Sequence, residues 1–139
     1  CVKIFDFGLA EKCNIDPATG SCRSIGKVGT LRYMAPEVAK GKGTVYGLSA
    51  DVFSFALLLW QIVSTRVPYE DEIPLSPLFE PKPIPENKRP SLKYVESKDL
   101  RALLEASWVF DPGSRLQFRD IVLELNEIIK PKRPITTGK

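Results

Sequence analysis

Residues 48–65 read LSADVFSFALLLWQIVST, and this stretch decides the fold class. Across residues 52–63 only Ser54 and Gln61 interrupt the apolar run, so no polar face is left for solvent. A helix of that composition is expected to be buried on all sides. Ser49 reads as its N-cap, and Pro68 closes the region after it. The run is shorter than the roughly 20 apolar residues a bilayer requires. It therefore reads as the central core helix of a mainly α-helical domain.

Downstream, residues 68–90 hold seven of the twelve prolines, which excludes a long regular helix and predicts an extended, irregular surface segment. Residues 97–110, SKDLRALLEASWVF, place Leu100, Leu103, Leu104 and Trp108 at the three-and-four spacing of an amphipathic helix. The turn DPGS follows. Ser114 and Gln117 then form a capping-box signature for a last helix whose apolar face includes Leu116, Ile121, Leu125 and Ile128, ending before Pro131. Upstream, residues 2–5 (VKIF) read as a short strand stopped by Asp6 and Gly8. Residues 11–27 are polar and turn-rich, a loop of the length that compact domains reserve for function or disorder.

Composition narrows the function. At 139 residues, with 43% hydrophobic and 27% charged residues, the chain is expected to form one globular domain with a real core. A net charge of +3 gives no reason to expect nucleic acid or a membrane as partner, and the basic residues 131–139 read as a disordered solvated tail. The chain has no histidine, which removes His-based zinc sites and every His-dependent acid/base scheme. Three cysteines without metal-site spacing imply no disulfide framework and fit a reducing intracellular setting, the cytoplasm or the cytoplasmic side of a membrane receptor. There is no initiator Met and no signal peptide, so the chain is expected to be a piece of a longer protein.

Four motifs now fall into order: Asp6-Phe7-Gly8, the long loop leading to VGTLRYMAPEV (28–38), the apolar helix begun by SADVF, and DPGSR (111–115). Each is weak alone. In this order and spacing they resemble the C-terminal lobe of a eukaryotic protein kinase domain over residues 1–130, most like the tyrosine-kinase-like, Ser/Thr-directed group. The fold this implies is that lobe of a truncated α+β kinase domain: short N-terminal strand, activation segment, buried central helix and amphipathic C-terminal helices.

The resemblance assigns roles. Asp6 matches the residue that holds Mg²⁺ against the phosphates of ATP, work for which a hard cation favours carboxylate oxygen. On its own, Asp6 would read as a turn cap. Phe7 matches the side chain whose packing sets active and inactive states, and Gly8 completes the turn. Residues 6–37 resemble an activation segment, with Thr19, Ser21 and Ser24 as possible phosphosites. Thr30 matches the threonine that contacts the catalytic aspartate in Ser/Thr-directed kinases. Glu37 and Arg115 match the ends of a buried ion pair. Asp51 matches the residue that holds the catalytic-loop backbone; as an ordinary first-turn acid it would also gain from the helix dipole. With that loop missing, Asp51 is expected to be left as an unsatisfied buried carboxylate.

Phe53, Ala56 and Leu116 depart from the family's usual Trp or Tyr, Gly and Pro, all packing changes. Glu70, Asp71 and Glu72 fall where a small docking helix is usual, and read either as a basic-substrate reader or as a solvated loop. The Gly-rich loop, the strand lysine and the H-R-D catalytic loop of a working kinase lie upstream of DFG and are not in this sequence. GKGTVYG (41–47) has Tyr46 at the third glycine position, and Arg119-Asp120 precedes Asn126 by the wrong spacing. The expectation is therefore a fragment, inactive alone, of a kinase that uses ATP and Mg²⁺ to phosphorylate Ser/Thr in protein substrates. A pseudokinase or scaffold lobe, or an unrelated helical interaction domain, stand as alternatives.

Overall fold

The computed structural model describes residues 2–12, 16, 24–25, 29–41, 44–70 and 84–130. Residues 131–139, most of the proline-rich segment, and Thr19 and Ser21 lie outside the described residues. The described part is mostly helical with very little strand. In chain order come β1 (Ser24–Ile25), α1 (Pro36–Ala39), β2 (Val45–Tyr46), α2 (Ser49–Ser64), α3 (Lys98–Ser107) and α4 (Phe118–Ile129), with single 3-10 turns at Leu31–Tyr33, Leu92–Tyr94 and Pro112–Ser114. The strands β1 and β2 pair antiparallel, Ser24 opposite Tyr46 and Ile25 opposite Val45.

Helix α2 is the organising element. Ala50, Phe53, Ala56, Leu57 and Trp60 pack with Ala35, Val38, Tyr69, Val95, Leu104 and Trp108 in the main core. Val52 faces a second cluster with Leu103 of α3 and Ile121 of α4, bordered by Leu116, Leu125 and Ile128. Each large side chain so buried contributes on the order of 1.5–3 kcal/mol. Among the described residues no buried side-chain polar atom lacks a partner.

Several expectations need correction. Helix α2 is not buried all round: Leu58 is 47% and Ile62 64% exposed, four residues apart on one open side. Apolar composition says that a helix wants burial; only the number of elements around it says how much it gets. Residues 2–5 form no strand, and Val2, Ile4 and Phe5 are exposed, since β-branched and aromatic composition favours a strand only where a ladder forms. Ser49 is the first residue of α2 rather than its cap, with Leu48 at that position and no side-chain cap bond. The capping box before α4 does not form. Gln117 holds the N-cap position without a side-chain bond, and the Ser114 hydroxyl instead donates to Asp111 Oδ2 at 2.6 Å. Ser97 does cap α3, its hydroxyl accepting from the Leu100 amide. Asp51 lies exposed on the first turn of α2, so no buried carboxylate is orphaned there.

Candidate active site

Pro36 opens α1 at its first turn, where a missing amide costs nothing, and Glu37 follows it. Both Glu37 oxygens accept from Arg115, Oε1 from Nη1 at 2.6 Å and Oε2 from Nη2 at 2.9 Å. The Arg115 side chain is fully buried and that of Glu37 nearly so. Arg115 also donates to the carbonyls of Val109 (2.8 Å), Ser49 (2.9 Å) and Phe110 (3.2 Å). One guanidinium thus fastens α1, the start of α2 and the turn before α4. Its face lies 4.9 Å from the Phe53 ring, and Arg89 sits at 4.7 Å from the same ring. Burial holds the Arg89 guanidinium below its ordinary pKa, partly offset by Tyr69.

The start of α2 also lines a cavity of about 520 Å³. Its lining includes Thr30 and Tyr33, Asp51 and Ser54 of α2, and Glu11, Ser24 and Tyr46. Three devices shape it. Gly29 takes φ +113°, a conformation that side chains disfavour, and turns the chain into Thr30. Tyr33 donates its hydroxyl to Gln61 Oε1 of α2, and Arg32 donates to the Pro68 carbonyl, fixing the 3-10 turn between them. Ser24 donates to Glu11 Oε2 at 2.7 Å, which closes the early part of the segment onto β1.

Asp6 stands apart from this cavity. It is exposed and adopts φ 64°, left-handed backbone that aspartate tolerates better than most residues. The Ala10 amide donates to the Phe7 carbonyl at 3.0 Å, closing a turn through Gly8, and Phe7 itself is exposed. No group of three or more His, Cys, Asp or Glu residues is placed to hold a metal among the described residues. Asp6 therefore offers one hard oxygen ligand, not a complete site.

The family model for the protein kinase domain matches residues 1–124. The chain belongs to the protein kinase family. It is 35% identical over 129 residues to serine/threonine-protein kinase STY46 of Arabidopsis thaliana, covering 93% of this chain and 21% of that protein. It is 32% identical over 140 residues to the serine/threonine/tyrosine-protein kinase HT1 of the same plant, covering 98% of this chain and 33% of HT1. A probable serine/threonine-protein kinase of Dictyostelium discoideum, gdt4, is 34% identical over 132 residues, 94% of this chain and 8% of gdt4. The chain thus spans about a fifth of STY46 and a third of HT1.

Within this chain, Thr30 and Asp51 share one cavity, Glu37 and Arg115 pair with each other, and Asp6 with Phe7 lies outside the cavity lining. Sequence reasoning missed the β1–β2 pairing, the Ser24–Glu11 bond, the Tyr33–Gln61 contact and the role of Arg89. The first three and the Arg89–Trp108 bond carry no local signal, since each joins residues 13 or more apart. No helix among the described residues is long and apolar enough to cross a membrane.

Proposed function

We propose that this chain is the C-terminal lobe, from the DFG motif onward, of a Ser/Thr-directed protein kinase domain, and that the whole protein transfers the γ-phosphoryl group of ATP to serine and threonine hydroxyls of protein substrates. The observation that carries the reading is one cavity lined by both Thr30 and Asp51, in a chain where the Glu37–Arg115 pair ties α1 to the start of α2. A recess lined by a hydroxyl and a carboxylate suits the positioning of an acceptor hydroxyl and a catalytic loop.

Protein kinases in general use ATP and Mg²⁺; bound Mg·ATP supplies the phosphoryl group and neutralises the charge on its oxygens. Asp6 fits as one ligand to that cation: its carboxylate is exposed and is held on unusual backbone by the turn at Gly8. Thr30 positions the substrate side of the cavity. Asp51 accepts hydrogen bonds from the backbone of the catalytic loop, and the Glu37–Arg115 pair holds the segment carrying Thr30 against α2. Ser24, with its hydroxyl on Glu11, is a modification site at the mouth, where phosphate beside that carboxylate would release the contact by repulsion. By themselves these 139 residues carry no Gly-rich loop, strand lysine or H-R-D loop, so we expect them to transfer no phosphate alone. A reducing, cytoplasmic setting remains part of the reading, on the cysteine usage.

The test is Mg·ATP-dependent phosphorylation of a generic Ser/Thr protein substrate by the whole protein, beside Asp6→Ala and Thr30→Val. Activity in the parent, loss in Asp6→Ala and a reduced rate in Thr30→Val are the expected results. A folded parent that transfers nothing would make the chain a scaffold lobe and reduce Asp6 to a turn residue.

A further inference from the structure

A second cavity, of about 240 Å³, sits where the end of α2 meets residues 66–70 and 88–94, and shares no lining residue with the first. Its charged lining is Arg66, Lys88, Arg89 and Lys93 against the single acid Glu70. The aromatic groups are already committed to holding the walls. The Trp60 indole donates to the Ser91 carbonyl at 3.1 Å, and the Tyr69 hydroxyl donates to the Lys88 carbonyl at 3.2 Å. Arg89 spends its donors on the carbonyls of Trp108, Glu86 and Lys88.

Of the other lining cations, Arg66, Lys88 and Lys93, two lie over one ring. The Arg66 guanidinium is 4.5 Å and the Lys93 ammonium 4.8 Å from the centroid of Tyr94. Two like charges on one side chain repel unless an anion stands with them. Glu70 already supplies one carboxylate to Arg66, which shows the chemistry the cavity accepts, while Lys93 has no carboxylate partner among the described residues.

We propose that this cavity is a docking site for an acidic segment of a protein partner, which inserts one oxyanion side chain, carboxylate or phosphate monoester, against Lys93 and Arg66. Size supports a side chain rather than a free cofactor, because small-molecule pockets commonly run from about 300 to 1,000 Å³. Shape supports a peptide rather than nucleic acid, since the phosphate backbone is met by extended basic stripes and this is one concave spot on a chain of net charge +3. The site is independent of phosphoryl transfer and does not rest on it.

The experiment is fluorescence anisotropy, without nucleotide, of the whole protein with three fluorescein-labelled heptapeptides that differ only in a central phosphoserine, glutamate or serine. The phosphoserine peptide is expected to bind, the serine peptide to fail, and Lys93→Glu to weaken binding tenfold or more. Lys98→Glu, an equal charge change at an exposed position outside the cavity, is expected to weaken it less than twofold. Lys93→Gln repeats the test without adding a charge, in case the reversal disturbs folding. Binding of the glutamate peptide as well would assign any acidic side chain as occupant; its failure would assign phosphate. Equal losses from Lys93→Glu and Lys98→Glu, binding of the serine peptide, or no binding of any peptide up to about 1 mM would overturn the proposal.

Discussion

Arg115 reaches across 78 residues of sequence to hold both carboxylate oxygens of Glu37, and it does so with its own side chain fully withdrawn from water. Removing one partner from a buried pair leaves an uncompensated charge, at a typical cost of about 3–5 kcal/mol. Glu37→Ala is expected to destabilise the protein by that amount in urea denaturation. Arg115→Ala should cost at least as much, because the carbonyls of Val109, Ser49 and Phe110 lose their donor too. Arg115→Lys should rescue little, since an ammonium cannot reproduce the planar fork. A loss below about 1 kcal/mol for Glu37→Ala would show that the pair is not what joins α1 to α2.

The same turn carries a pH signature. Asp111 accepts from the Ser114 hydroxyl and from the Gly113 amide, and these bonds hold its carboxyl below the ordinary carboxylate pKa. A lowered native pKa means that the ionised form is the one the fold favours. The stabilisation is therefore complete above the unfolded carboxylate range and is lost as pH falls through the native value. In an NMR titration Asp111 should titrate below a model aspartate, and Ser114→Ala should move it upward. An unchanged value in that variant would remove the hydroxyl as the main cause.

Neighbouring leucines on α2 should behave differently. Leu57 is fully buried in the main core, whereas Leu58 lies on the open side. In the 139-residue chain, Leu57→Ala should cost about 2–5 kcal/mol by leaving a cavity, and Leu58→Ala less than about 1 kcal/mol. Similar losses at the two positions, measured by thermal or chemical unfolding, would mean that the open side is closed in solution.

Caps offer a finer comparison. Ser97→Ala removes the acceptor for the Leu100 amide and should destabilise by about 1 kcal/mol. Ser49→Ala, at a helix start with no side-chain cap bond, should fall within about 0.5 kcal/mol of the parent. Equal effects would restore Ser49 as the working cap of α2.

The amino-acid sequence by itself determined the helical character of the chain, the faces of α3 and α4 that turn inward, and the family. Those properties are local or ordered along the chain: Leu100, Leu103, Leu104 and Trp108 recur at helical spacing, and DFG, APE and DPGSR follow one another in order. Tertiary structure alone decided the rest. It set Leu58 and Ile62 toward the open side of a helix that is apolar throughout, because burial depends on which neighbours are present and not on composition. It drew Ser114 to Asp111 and left α4 without its capping box, a choice between two partners that both lie within reach of one hydroxyl's position in the chain. And it brought Arg66, from the segment after α2, over the ring of Tyr94 beside its chain neighbour Lys93, a meeting that no periodicity encodes because it exists only when the chain has folded back on itself.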